Sequence, residues 1–199
     1  MSEQSLKRPI SLKEAYSAIR VLLKDKEDTS QVFRIVEALT GSSFVRPYRR
    51  FRRSGVGARV LLEQSDLLEA LKDKQRLEQC PPDSLGATYL AFVYGEGLSA
   101  DGLVEASDAG RSDVGDADAE RFINRIRDMH DLWHVTTGYG RDGLGELSLL
   151  SFSTAQLWNP GIAFIILAGL IKSATETPQL PSLRAVIEGY LNGKIALWL

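Results

Sequence analysis

The stretch AERFINRIRDMHDLWH, residues 119–134, decides how this chain is read. Ala119, Phe122, Ile123, Ile126, Met129 and Trp133 recur at the spacing of one helical face, which must press into a core. Asp116 or Asp118 stands where a helix N-cap is needed, so a long helix is expected to reach His134.

The protein's only two histidines, His130 and His134, fall inside this helix. At about 100° per residue they lie about 40° apart around the axis, so both imidazoles project from one face, on the edge of the apolar stripe. Asp131 precedes His134 by three residues and is therefore also its surface neighbour. Glycines 138, 140, 143 and 145 let the chain turn back, and Glu146 then stands at the start of the next helix, facing the first. Two imidazoles and two carboxylates suit one divalent metal, zinc first, with iron or manganese tolerated. The competing reading is a pair of histidines that only hydrogen-bond to Asp131, Glu146 or backbone carbonyls. A zinc peptidase ranks low: the HExxH pattern places a glutamate base between its histidines, and Asp131 is one methylene shorter.

Outward from this motif the chain keeps the same periodicity. Ser11-Leu12-Lys13-Glu14 is a capping box, followed at helical spacing by Leu12, Ala15, Tyr16, Ile19, Leu22 and Leu23, so a first helix is expected to about Lys26. Further helices are expected from Ser30 to Gly41, from Ala58 to Lys74, from Ser84 through Val93, from Gly143 to Leu157, from Pro160 to before Pro178, and from Ser182 onward. No segment shows the alternation of an amphipathic strand. The expected fold is mainly α, a single-domain irregular helical bundle over residues 1–199. Between Asp101 and Glu120, seven acidic residues stand against Arg111 alone, which predicts a mobile acidic surface loop at about 100–117.

The composition narrows the function classes. The single cysteine, Cys80, has no partner for a disulfide, so a reduced, cytoplasmic setting fits. The longest apolar run, Gly161–Ile171, falls short of the roughly 20 residues that cross a bilayer. A net charge of −2 gives no steering toward nucleic acid, and none is expected as a partner. The charge is uneven, however. Residues 46–53 contain Arg46, Arg49, Arg50, Arg52 and Arg53 with Tyr48 and Phe51, a composition suited to lipid phosphates, a phosphorylated ligand or RNA; a solvated loop or helix terminus is the plain alternative. Phe164, Ile165, Ile166, Leu167, Leu170 and Ile171 make a helix apolar nearly all round, either core or one wall of a lipid groove.

His130-Asp131-x-x-His134, eleven residues and Glu146 resemble the HDxxH-x-eleven-E signature of the Coq-four family of coenzyme Q (ubiquinone) biosynthesis proteins. Pro82-Asp83-Ser84-Leu85-Gly86-x-x-Tyr89 and the stretch from Glu146 through Phe152, Gln156 and Pro160 to Gly169 are similar as well. The resemblance implies a helical protein peripheral to the inner face of a membrane. It implies one divalent metal on His130, Asp131, His134 and Glu146, which would also be the catalytic residues, and a groove for a polyprenyl tail against Phe164, Ile165 and Ile166. Its implied role lies at C1 of a polyprenyl-benzoate head group, where a carboxylate is lost and a hydroxyl gained. That makes it a metal-dependent oxidative decarboxylase or a component of one; the alternative is a non-catalytic lipid-binding scaffold for other quinone-biosynthesis proteins. A homodimer is compatible with either. Leu150 and Ser153 depart from the pattern, standing where a lysine and a glutamate would be expected in eukaryotic members.

Overall fold

A computed structural model describes residues 3–25, 28–95, 101–108 and 114–198. The described residues form helices and no strands. The first half runs α1 (Leu12–Leu22), α2 (Thr29–Leu39), α3 (Val45–Arg53), α4 (Gly55–Glu63), α5 (Leu67–Lys72), α6 (Lys74–Glu78) and α7 (Leu85–Tyr94). It continues with α8 (Asp101–Asp108), α9 (Ala117–Thr137), α10 (Gly143–Gln156), α11 (Pro160–Glu176) and α12 (Ser182–Ile195).

Side-chain oxygens start several of these helices by accepting otherwise unpaired N–H groups. Ser11 accepts from Glu14 at 3.3 Å, Ser84 from Ala87 at 3.3 Å, and Asp116, rather than Asp118, from Ala119 at 3.0 Å. Two expectations need correcting, and the arginine-rich segment takes a definite element. The segment from Ala58 to Lys74 is two helices, because Gln64 takes a left-handed φ of 54° and Asp66 caps anew. Residues 46–53 belong to the helix α3, whose inward face carries Tyr48 and Phe51. The acidic stretch contains α8, where a loop was expected; residues 109–113, also within that expectation, lie outside the described residues.

Three apolar clusters hold the helices. Tyr48, Phe51, Phe122, Met129, Trp133, Leu149 and Phe152 join α3, α9 and α10. Ala15, Ala18, Ile19, Ile35, Leu39 and Ile165 join α1, α2 and α11. Leu71, Leu77, Tyr89 and Val93 join α5, α6 and α7, with Leu132 and Val135 of α9 packed against them. Between the first two clusters lies Asn159, fully buried. Its carbonyl accepts from Gly161 at 2.7 Å to start α11, and its amide donates to Thr40 at 3.0 Å.

The closest helix pair is α10 against α12. A Cβ added at Gly189 would overlap the backbone carbonyl of Ser148, and one at Gly193 that of Phe152, so the two backbones touch where side chains would hold them apart. Gln156 closes the far end by donating to the Gly193 carbonyl at 2.6 Å. Gly193→Ala is therefore expected to cost about 1–3 kcal/mol through overpacking. At about 2–4 °C per kcal/mol for a chain of this size, calorimetry should show a lowered melting temperature. Gly55→Ala is the control, since a Cβ there meets nothing within 4 Å. Equal shifts for the two variants would remove the contact as the cause.

Candidate metal centre

The last turns of α9 deliver both histidines to one side, with ring centroids 4.8 Å apart and planes at 72°. His134 is only 2% exposed, deeper than the edge position read from the stripe, while His130 is partly buried. The helix stops at Gly138, whose φ of 73° lets its N–H return to the His134 carbonyl at 2.9 Å. The chain then doubles back, and the Tyr139 carbonyl lies 2.8 Å from His134 Nδ1. A carbonyl can only accept, so Nδ1 carries the proton and neutral His134 presents the lone pair of Nε2. Ligating histidines are oriented in the same way.

Asp142 caps α10 by accepting from Leu144 at 2.9 Å and Gly145 at 3.2 Å. A side chain at 145 would overlap the Gly140 carbonyl, so this glycine lets the turn lie against the first turn of α10. Glu146 is thereby carried to the histidines, with Oε1 3.3 Å from His134 Nε2 and Oε2 3.8 Å from His130 Nε2. Ligand atoms of the three residues all lie within 4.8 Å of one another. A tetrahedral ion with bonds of about 2.1 Å separates its ligands by about 3.4 Å, so the trio fits a zinc-sized ion after a small closure and leaves a position open.

Asp131 departs from the expected set of four. It lies outside the trio, with its carboxylate 3.5 Å from His130 Nδ1. One residue beyond His130 it is turned about 100° around the axis, and its short side chain reaches the imidazole from the Nδ1 side. Burial alone would raise its pKa, but the hydrogen bond from His130 and the charges of His130, Arg141 and His134 hold it below the usual value. Asp131 is thus a half-buried carboxylate that orients His130. For His134, burial pulls the pKa down, yet the hydrogen bond and charge of Glu146, the Tyr139 carbonyl and Asp131 raise it overall. Tyr89, from the segment Pro82–Tyr89, has its phenol pushed far up, by burial first and then by the charge of Asp131.

All four motif residues line a cavity of about 920 Å³. That is at the upper end of the roughly 300–1,000 Å³ typical of ligand sites. Its wall is largely apolar, with Ile19, Val32, Ile126, Trp133, Leu150 and Ile165. Of the three residues read as lipid-binding, only Ile165 faces this space. Phe164 packs against the α1–α2–α11 cluster, and Ile166 is core. Successive residues step 100° around α11, so its cavity face is Ile162, Ile165, Gly169 and Ser173, while Leu167 and Ile171 point outward at 55% and 60% exposure.

The arginines of α3 form a separate surface outside the cavity wall. Arg46, Arg49, Arg50, Arg52 and Arg53 are all exposed. Arg49 pairs with Glu3 at 2.6 Å, Arg50 stacks 4.2 Å over Trp198, and Arg52 lies 5.7 Å over Tyr48. Sequence reasoning assigned no role at the centre to Tyr139, Phe92 or Arg141. Phe92 stacks on His134 at 5.4 Å, and the Arg141 guanidinium sits 4.1 Å from the Phe92 ring. One signal was present for Arg141: it is the only cation between His134 and Glu146.

Fold and site together define an all-helical protein that gathers two histidines and a carboxylate on the wall of a large apolar cavity. Residues 10–181 match the family model described as coenzyme Q (ubiquinone) biosynthesis protein Coq4, and the chain belongs to that family. The mitochondrial ubiquinone biosynthesis protein COQ4 homolog of Mus musculus is 28% identical over 131 residues, 66% of this chain and 47% of the relative. COQ4 of Pyricularia oryzae is 28% identical over 138 residues, 69% and 42% of the two chains. The chain thus spans about half the length of the curated relatives it matches. A crystal structure from Nostoc punctiforme PCC 73102, bearing the name of a ubiquinone biosynthesis protein, has a like fold. Its TM-score is 0.62 at 17% identity, covering 93% of this chain and 85% of that one.

Metal titration is expected to give one equivalent per chain, with uptake lost in His134→Ala and His130→Ala and weakened less in Asp131→Asn. Uptake as strong in the histidine variants as in the parent would sink the assignment. Uptake also requires neutral His134, whose pKa is raised in the metal-free protein. Affinity should therefore fall as pH drops through that raised value, with proton release seen by calorimetry in buffers of different ionisation enthalpy. Without metal the sign reverses. The protonated His134–Glu146 pair adds stability below the unfolded pKa of about 6.5, and this is lost as pH rises through the folded value.

Proposed function

We propose that this chain binds a polyprenylated aromatic acid and acts at C1 of its head group in ubiquinone biosynthesis. One divalent metal, zinc first and iron or manganese next, would sit on His130, His134 and Glu146, with Asp131 beside them. The observation that carries this reading is one apolar cavity whose wall contains the whole His–Asp–Glu motif. It is large enough for a head group with part of a tail. Family membership supplies the pathway.

Within this reading the chain's own residues have separable tasks. Ile165, Val32 and Leu150 take the tail out of water, which favours binding by about 25 cal/mol per Å² of apolar surface. Asp131 and the Tyr139 carbonyl hold the two imidazoles in their tautomers. Glu146 closes the ligand set from α10 and, at 38% side-chain exposure, faces the cavity. A bound divalent ion would supply Lewis acidity for charge that develops on the head group as its carboxylate leaves. No described helix is long and apolar enough to cross a membrane. In this reading the protein lies on the inner face of a membrane, with the exposed arginines of α3 toward lipid phosphates and other quinone-biosynthesis proteins as partners.

Glu146→Gln should lower turnover of a prenylated hydroxybenzoate by about 100-fold or more while the fold, followed by circular dichroism, is kept. Unchanged turnover in that variant, with the parent active, would favour the non-catalytic scaffold. Ile165→Asp should reduce lipid retention, measured by mass spectrometry of extracts, more than it reduces metal content.

Peripheral binding has its own test. Attraction of about 1 kcal/mol per basic residue near an anionic surface predicts sedimentation with phosphatidylserine vesicles that fades with salt. Binding that is equal for neutral vesicles, or unchanged when Arg46, Arg49, Arg50, Arg52 and Arg53 are replaced by glutamine, would remove α3 from that role.

A further inference from the structure

We propose that the outer face of α12, with the outward side of α11, rests in the surface of a lipid bilayer, and that the cavity opens at this face so that a tailed ligand enters from the bilayer. This rests on reading the cavity as the site of a lipid-tailed ligand, to which it adds a contact surface and a route of entry. More than half of the exposed large apolar side chains among the described residues lie within residues 167–197. On α12 they are Leu183, Ile187, Tyr190, Leu191 and Ile195, and on α11 Leu167 and Ile171. Packing sets the side on which they stand. Gly189 and Gly193 turn inward against the α10 backbone, and Asn192 reaches the Tyr139 hydroxyl of the α9–α10 turn at 2.8 Å. At about 100° per residue, Leu183, Ile187 and Tyr190 lie opposite Asn192, with Leu191 beside them. A contiguous apolar patch of several such side chains marks an interaction surface.

Two features of the same face select a bilayer as its occupant. The first is the mouth of the cavity. α11 follows α10 after a short turn and runs back along it, with Gly169 against Leu147, so its C-terminal end stands beside the start of α10. There Asp142 and Gly143 on one side, and Glu176 and Leu180 on the other, are exposed and line the cavity at once. Leu180, 43% exposed, leads into α12, where Leu183 continues the apolar surface. A ligand that crossed water to reach this mouth would expose its tail, whereas one that stays dissolved in a bilayer does not. A second copy seated here would cover the mouth.

The second feature is charge. α12 ends at Ile195, and the Arg50 guanidinium stacks 4.2 Å over Trp198 just beyond it. The exposed arginines of α3 therefore stand beside the C-terminal end of the apolar stripe, and the exposed Lys194 lies on the stripe itself. A basic border along an apolar helix face complements a bilayer, whose anionic phosphates lie beside its acyl chains. Tyr190 suits that boundary, since it presents an apolar ring with a polar hydroxyl.

The test uses the full chain and phosphatidylcholine–phosphatidylserine vesicles whose acyl chains carry bromine. A tryptophan is placed on the stripe by Ile187→Trp and, as the control, at an exposed position of α7 by Leu85→Trp; α7 packs on α6 and α9, away from this face. Bromine should quench the added emission at 187 and leave that at 85 unchanged. The double variant Leu183→Glu with Ile187→Glu should keep the parent's melting temperature and bind the vesicles about tenfold or more weakly, because two charges would have to enter the acyl boundary. Neither position lines the cavity. The double variant should therefore bind 3-decyl-4-hydroxybenzoate offered in buffer as the parent does, but take it up from vesicles correspondingly more slowly.

Vesicle binding without quenching at 187 would overturn the proposal and leave attachment to the arginines of α3 alone. So would a parent that is dimeric in solution and monomeric as the double variant, since the face would then belong to a second copy. Uptake from vesicles that the double variant leaves unchanged would remove the route of entry. If the parent binds no vesicles at all, the proposal falls together with the peripheral reading. If the decyl probe does not bind in buffer, the lipid-cavity reading falls and the route of entry with it, while quenching at 187 would still support the contact surface.

Discussion

The hydrogen bond from His134 Nδ1 to the Tyr139 carbonyl, 2.8 Å long, ties the end of α9 to the turn that launches α10, and the centre is organised around it. It fixes the ring, it fixes the tautomer, and it pins the first residues after the helix. Gly138 supplies the backbone reversal that makes the bond reachable, and Asp142 restarts the helix within a few residues. A longer connection would leave Glu146 free to wander from the histidines at a cost in ordering entropy. With this bond in place, two helices meet at a fixed distance and their polar groups converge.

Such convergence needs a scaffold that keeps α9 and α10 from sliding. α9 is gripped on both sides, by Tyr48 and Phe51 of α3 and by Tyr89 and Val93 of α7. α10 is gripped from behind by α12, at a backbone-to-backbone approach that only glycine permits. The cavity is what remains between these packed layers and the α1–α2–α11 cluster. Its existence has an energetic meaning, since a large apolar space in a folded chain forfeits the contacts that close packing would give, and a tail of matching chemistry recovers them. The same space lowers the local dielectric around Asp131 and His134, which is why a few charges matter so much there.

Much of this was legible in the residue order, and for identifiable reasons. The interval of three and four in residues 119–134 is a direct image of helical geometry, so α9 and the common face of His130 and His134 followed from it. Caps such as Ser11, Ser84 and Asp116 act on groups three residues away, and short-range chemistry is readable without a fold. The same locality misled at α8 and at residues 58–74. There composition suggested one state, while a cap at Asp66 or packing elsewhere in the chain chose another.

What the sequence by itself determined is therefore the longer helices, α1, α2, α7 and α9 to α12, the pairing of the two histidines and the return of Glu146 after a glycine-rich turn. Periodicity says which residues share a face, but it is silent on which neighbour that face meets. Only the tertiary structure decided that Ile165 and not Phe164 or Ile166 lines the cavity, because the answer depends on how α11 is rotated against α2. It likewise decided that Asp131 stands beside His130 rather than among the trio, and that Phe92, Tyr139 and Arg141 complete the centre. Those contacts run through a backbone carbonyl, a stacked ring and a turn, whose positions are set by packing between distant segments and leave no periodic trace in the chain.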